Sequence, residues 1–230
     1  MKLGTVFMDN NLMLAPMLNV TTGPYRRFCR SFHEIGLVTV PMLYTKRIVK
    51  DPESVRWKLS KLKEERPVSV QLIGGEEEDL KKSIDFLESY EFDVLDLNAG
   101  CPSRRAIRAG EGGYMMKDLN KLESLLKVAV KHSSRPVSVK TRLGFKIVDG
   151  IVPSLARILN ESQVDFVTVH ARTVASRFDD SSINTRDLKR LSELLEVPLT
   201  GNGNITDGQS AERMIDDVGA NALMIGRASK

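Results

Sequence analysis

Two cysteines, Cys29 and Cys101, are all that this chain of 230 residues contains, too few for a disulfide framework. The N-terminus, Met1-Lys2-Leu3-Gly4, lacks the apolar core of a signal peptide, and no apolar stretch approaches the length that spans a bilayer. These absences lead us to expect a cytoplasmic protein with no membrane partner. No spacing of histidine or cysteine resembles a metal site, so no metal is expected either. Low-complexity segments, linkers and internal repeats are missing as well. After the first apolar run, Ala15-Pro16-Met17 stands where a dinucleotide fingerprint would need glycines, which argues against an open doubly wound sheet. The formal charge of +4 is mildly basic, compatible with RNA or a phosphate-bearing ligand without establishing either.

What the chain does have is a regular alternation. Eight short apolar runs recur at Leu12–Ala15, Leu37–Val40, Val68–Leu72, Val94–Leu97, Val137–Lys140, Phe166–Val169, Pro198–Thr200 and Ala222–Ile225. Between them lie segments of helical periodicity, including Glu76 to Tyr90, Asp118 to His132, and Thr206 to Val218, where Thr206 is a candidate cap and Gly219 marks the end. Hydrophobic content of 41% supports one sizeable core, and the pattern predicts an α/β fold, a (β/α)8 TIM barrel, as a single domain over residues 1–230. Before the first run, Asp9-Asn10 reads as the turn of a small N-terminal hairpin closing the barrel bottom. The sequence stops at Ala228-Ser229-Lys230, directly after the eighth run. The last helix is therefore expected to be missing, with the exposed flank covered by a second copy in a homo-oligomer or belonging to a longer polypeptide.

Barrel sites lie at the C-terminal ends of the strands, and there the residues are polar. The third run ends in Gln71, the fourth in Asn98 and Cys101, the fifth in Lys140 and Arg142, the sixth in His170 and Arg172, the seventh in Gly201-Asn202-Gly203, the eighth in Gly226-Arg227. So many polar groups at one mouth imply a large polar ligand. Gly201, Gly203 and Gly226 fall in the loops where this fold commonly holds phosphate, and Lys140 offers a positive charge to an electron-rich ligand atom. Flavin mononucleotide fits that pattern.

Cys101, within Asn98-Ala99-Gly100-Cys101-Pro102, reads two ways: an inert thiol at a strand end, or a reactive one on a platform set by Gly100 and Pro102. Lys140 and Arg142 equally read as partners of a carboxylate such as Asp96, and His170 as a structural histidine. Cys29 is assigned to the core of a helical stretch within Tyr25 to Ile35, whereas His33 and His132 sit near helix ends in solvated positions.

The chain resembles the tRNA-dihydrouridine synthase family, barrels related to dihydroorotate dehydrogenase. The matching stretches are Leu14–Met17, Gln71–Gly74, Asp96–Pro102, Val139–Gly144, His170–Thr173, Gly201–Gly203 and Gly226-Arg227. The resemblance implies FMN as cofactor, with Ala15, Pro16 and Met17 lining the ring, Gln71, Lys140 and His170 at its polar edge, and Asn202, Gly203, Gly226 and Arg227 at its phosphate. Asn98 would lie between flavin and substrate. The implied reaction reduces uridine in tRNA: a hydride passes from flavin N5 to C6 of the uracil, Cys101 gives a proton to C5, and NADPH re-reduces the flavin. A thiol, ordinarily protonated at neutral pH, suits that role. The base would have to leave the RNA stack, with Arg104, Arg105 and Arg172 among the groups expected to hold the strand.

The pattern departs from the family in Val174–Asp180 and in ending at Lys230, where relatives continue into a helical domain. Two other readings stand beside the first: a dihydroorotate- or dihydropyrimidine-type enzyme acting on a free pyrimidine, and a non-catalytic flavin-binding relative.

Overall fold

A computed structural model describes residues 1–32 and 35–229; the expectation for His33 lies outside them. Eight parallel strands form the wall: β3 (Leu12–Leu14), β4 (Val38–Tyr44), β5 (Val68–Ile73), β6 (Val94–Asn98), β7 (Val137–Arg142), β8 (Phe166–His170), β9 (Leu199–Asn202) and β10 (Ala222–Ile225). They pair in chain order, β10 returns to β3, and the ring closes through a bridge between Met13 and Leu37. This is the (β/α)8 barrel the alternation predicts.

The N-terminal hairpin exists but is displaced from its expected turn. It pairs β1 (Lys2–Leu3) with β2 (Val6–Phe7), and the turn falls at Gly4-Thr5 instead of Asp9-Asn10. Gly4 explains the choice: it adopts φ +59°, and a Cβ there would lie 2.3 Å from the Asp165 carbonyl oxygen. Asp9-Asn10 instead leads into β3. The hairpin carries Leu3, Val6 and Met8 into the barrel bottom against Met13, Leu37, Val94, Phe166 and Ala222.

The helices are α1 (Gly23–Arg30), α2 (Thr45–Lys50), α3 (Glu53–Leu59), α4 (Glu77–Leu87), α5 (Arg104–Arg108), α6 (Leu119–His132), α7 (Ile151–Glu161), α8 (Thr185–Leu194) and α9 (Gly208–Asp216). Leu80, Ile84 and Leu87 of α4 and Leu122, Leu125 and Leu126 of α6 bury their stripe on the outward side of the strands, beside Leu72, Leu95 and Leu97. Each such side chain contributes roughly 1.5–3 kcal/mol by leaving water. Asp118 caps α6 by accepting from the Lys121 N–H. The cap of α9 is Asp207, not Thr206, because Asp207 and Ser210 exchange side-chain-to-backbone bonds in a capping box. Gly219 closes the segment after α9 with φ +80°, its N–H donating to the Ile215 carbonyl. Among the described residues, β10 is followed only by a 3₁₀ turn, Arg227–Ser229. Cys29 is buried on α1, while Phe28 and Phe32 of the same stretch are exposed and stack edge to face.

Because side chains alternate along a strand, the outward set is aliphatic and the inward set is free to differ. Above the hairpin it is polar: Ser69, Gln71, Asp96, Asn98, Ser138, Thr168, His170, Thr200 and Asn202 are all buried. These groups form the floor of the mouth.

Candidate functional site

The backbone after β6 is organised by one amide. Asn98 Oδ1 accepts from the N–H groups of Gly100 (3.2 Å) and Cys101 (2.9 Å), folding the chain back over the strand end. From the other side the turn Gly112–Met116 supports it: the Gly113 N–H donates to the Cys101 carbonyl at 3.0 Å. Neither glycine tolerates a side chain there. A Cβ on Gly112, whose φ is +57°, would sit 3.0 Å from Cys101 Cβ, and one on Gly113 would sit 2.7 Å from the Cys101 carbonyl oxygen. The thiol-bearing residue is thus held half-exposed on a close-packed ledge. Ser103 then caps α5 by accepting from the Ala106 N–H.

Across the mouth, Lys140 Nζ donates to Asn202 Oδ1 at 2.9 Å, and Asn202 Nδ2 donates to the Met224 carbonyl at 2.7 Å. The backbone carbonyl fixes which end of Asn202 meets the lysine. Burial and the neighbouring Arg142 bring the Lys140 ammonium down to about 8. Asp96 lies deeper, accepting from Ser138 Oγ and Gln71 Nε2, and burial pushes its carboxyl up. Among the described residues neither Lys140 nor Arg142 forms an ion pair with it, which removes that simpler reading.

Arg142 is a clamp. Its Nε donates to the Gly100 carbonyl, and Nη1 donates to the carbonyls of Thr173 and Arg177, tying the Cys101 loop to the loop after β8. Burial and Arg172 lower its pKa to about 10. Arg172 is also buried; it donates to His170 Nε2, to the Asp179 carbonyl, to Asn204 Oδ1 and to Asp180 Oδ1. Burial and the surrounding cations push the His170 imidazolium far down, so the ring is neutral.

The loop after β8 contributes two residues that the sequence singled out only as part of an unfamiliar segment. Phe178 lies between the guanidinium groups of Arg142 and Arg227, 5.3 and 5.6 Å from its centroid. Asp180 accepts from both Arg172 (2.9 Å) and Arg227 (3.0 Å). The only advance signal for either was its loop position after a barrel strand.

These groups surround a cavity of about 1290 Å³. Thirteen predicted positions line it: Ala15, Pro16, Met17, Asn98, Cys101, Arg104, Lys140, His170, Arg172, Asn202, Gly203, Gly226 and Arg227. Gln71, Gly201 and Arg105 do not; Gly201 lies within β9 and faces outward, where a Cβ would meet Met214 at 2.5 Å. Gln71 is fully buried behind Asn98, accepting from its Nδ2 at 2.8 Å, because the strand register puts it one layer below the opening. Arg105 turns away to stack on Tyr44, 4.9 Å from the ring centroid. Near the opposite wall, Gly203 has φ +119° and a Cβ there would meet His170 Cδ2 at 2.8 Å; a Cβ on Gly226 would approach only Ala15, at 3.7 Å. Among the described residues the backbone N–H of Gly226 has no protein acceptor, whereas that of Gly203 faces the Met224 carbonyl across the β9–β10 ladder. With Arg227, Arg213 and Arg104 at the lining, the mouth favours an anion.

Comparison with known proteins agrees with this picture. The family model described as dihydrouridine synthase matches residues 13–230. tRNA-dihydrouridine synthase B of Pasteurella multocida is 28% identical over 229 residues, spanning 100% of this chain and 68% of that protein. A probable tRNA-dihydrouridine synthase of Rhizobium leguminosarum bv. phaseoli is 31% identical over 218 residues, spanning 95% of this chain and 68% of that protein. Among solved structures, a morphinone reductase mutant superimposes with a TM-score of 0.71 at 12% identity, covering 99% of this chain and 85% of that one. A variant of NCR from Zymomonas mobilis gives 0.72 at 15%, with the same coverage. At such identities the structural likeness speaks for the barrel alone.

Proposed function

Because the chain belongs to the dihydrouridine synthase family, we propose that it is an FMN-dependent oxidoreductase that reduces uridine to dihydrouridine in tRNA. The observation that carries this reading is the placement of Cys101 on the lip of an anion-favouring cavity whose floor presents Asn98, Lys140 and His170.

The residues present suit FMN. Gly226 offers an unpartnered N–H and Arg227 a guanidinium to its phosphate, with Gly203 leaving the wall beside them free of a side chain. Ala15, Pro16 and Met17 give the ring an apolar wall. Lys140 would favour negative charge at the polar edge of the ring, and His170 would meet that edge as a neutral imidazole. When bound, FMN supplies the hydride that reaches C6 of the base, and NADPH is the proposed source of its electrons.

Cys101 delivers a proton from its thiol to C5 as that carbon gains electron density, and its thiolate is reprotonated from solvent at the open lip. Asn98, between the ring site and Cys101, would orient the flipped base. Arg104 is the best placed of the predicted basic groups to meet the RNA backbone, being exposed at the cavity rim. Arg172, buried and fully engaged, supports the site from within, and Gln71 acts behind Asn98.

The test is an absorption spectrum of the purified protein, identification of the released chromophore, and an assay of dihydrouridine formed in tRNA with NADPH. Flavin bands released as FMN together with dihydrouridine formation are expected. Failure to take up FMN, or turnover of free dihydroorotate with none on tRNA, would overturn the assignment.

A further inference from the structure

The polar column inside the barrel has a direction. Asp96 Oδ2 accepts from Gln71 Nε2 at 2.6 Å; Gln71 Oε1 accepts from Asn98 Nδ2 at 2.8 Å; Asn98 Oδ1 accepts from the N–H groups of Gly100 and Cys101. All three side chains are buried, so water does not substitute for a lost partner.

An amide side chain can present either end, and nothing in its shape selects one. An ionised carboxyl can only accept, and Oδ2 of Asp96 likewise only accepts when a proton sits on Oδ1 and points to Ser138. The acid at position 96 therefore obliges Gln71 to turn its NH₂ downward and its oxygen up toward Asn98. Asn98 must then turn its NH₂ toward Gln71, which leaves its oxygen for the Cys101 loop. The link from Gln71 keeps this direction whichever way the hydroxyl of Ser138, 2.7 Å from Asp96 Oδ1, is turned. Were Asn98 reversed, its NH₂ would face two N–H groups and the loop would have to lift from its ledge against Gly112.

We propose that Asp96 is a positioning residue for Cys101, setting the orientation of Gln71 and Asn98 and through them the place of the thiol. The assignment of a purpose to that placement rests on Cys101 being the proton donor described above; the placement itself does not.

The test uses near-isosteric exchanges and reads the thiol directly. In the protein as purified, the alkylation rate of Cys101 by iodoacetamide is followed by peptide mass spectrometry, which separates it from buried Cys29. Asp96→Asn, which lets Gln71 and Asn98 reverse, should raise that rate at least fivefold and lower kcat with little change in KM. The pair Asp96→Asn with Gln71→Glu restores direction, because a carboxylate at 71 accepts from both amides. It should return the rate to within about twofold of the parent. Gln71→Met, which cuts the column without placing a new polar atom, should behave like Asp96→Asn and serves if that variant folds poorly.

A parental alkylation rate in both single variants would overturn the proposal, as would a paired variant no closer to the parent than Asp96→Asn. If alkylation follows the expected pattern while neither the parent nor any variant reduces uridine, the proton-donor reading falls and the positioning stands.

Discussion

Arg172 Nη1 lies 2.9 Å from His170 Nε2, and that contact assigns the histidine tautomer. A guanidinium has only N–H groups to offer, so Nε2 must be the acceptor and the ring proton must sit on Nδ1. Burial, together with the cations that surround the ring, keeps a second proton off it.

His170 should consequently show no titration between pH 5 and 8 in ¹⁵N-resolved NMR, with the proton on Nδ1 throughout. An unfolded histidine binds a proton below about 6.5, whereas the folded one does not. Stability should therefore rise as pH increases through that range, by at most about 1.4 kcal/mol per unit for this one group. His170→Asn should flatten the slope in urea titrations at pH 5, 6 and 7.

Lys140 gives the opposite functional window. With its pKa brought down to about 8, the ammonium is present below that pH and is lost above it. FMN affinity, read by fluorescence quenching, should weaken as pH passes 8. Lys140→Met should bind FMN weakly and without that pH dependence.

Cys101→Ala removes the proposed proton donor while leaving the cavity floor intact. Dihydrouridine formation should fall by ~10²–10⁴, the range of a positioned general acid. FMN content and flavin reduction by NADPH should stay at parental levels in stopped-flow absorbance. A parental rate of tRNA reduction would exclude the thiol from the reaction.

Gly113→Ala tests the ledge. Its new methyl would fall 2.7 Å from the Cys101 carbonyl oxygen and 2.8 Å from Val174 Cγ1, both in packed surroundings. Urea denaturation should show a loss of ~1–3 kcal/mol. Gly150→Ala, where no atom lies within 4 Å, isolates the backbone contribution at its φ of +77° and should cost less.

Arg104 at the rim should act through RNA phosphate alone. Arg104→Ala should weaken tRNA binding and reduce the slope of log K against log salt by about one, measured by filter binding. Arg105→Ala should leave the slope nearer the parent, since that guanidinium stacks on Tyr44.

What the sequence by itself determined was the frame and most of the cavity lining. Eight β-rich runs separated by helical stripes leave few topologies, and a period of two decides which residues of a strand face inward. Lys140, His170 and Asn202 could thus be put at one mouth from their places at strand ends. Tertiary structure alone decided depth, direction and support. Gln71 and Asn98 occupy comparable strand-end positions, yet strand register puts one at the opening and the other behind it. The hairpin turn went to Gly4 because Asp165, far along the chain, leaves no room for a side chain. Gly112 and Gly113 beneath Cys101, and Phe178 and Asp180 between the arginines, come from loops whose contacts have no period to reveal them. Local pattern sets which face a residue is on; long-range packing sets what it touches there.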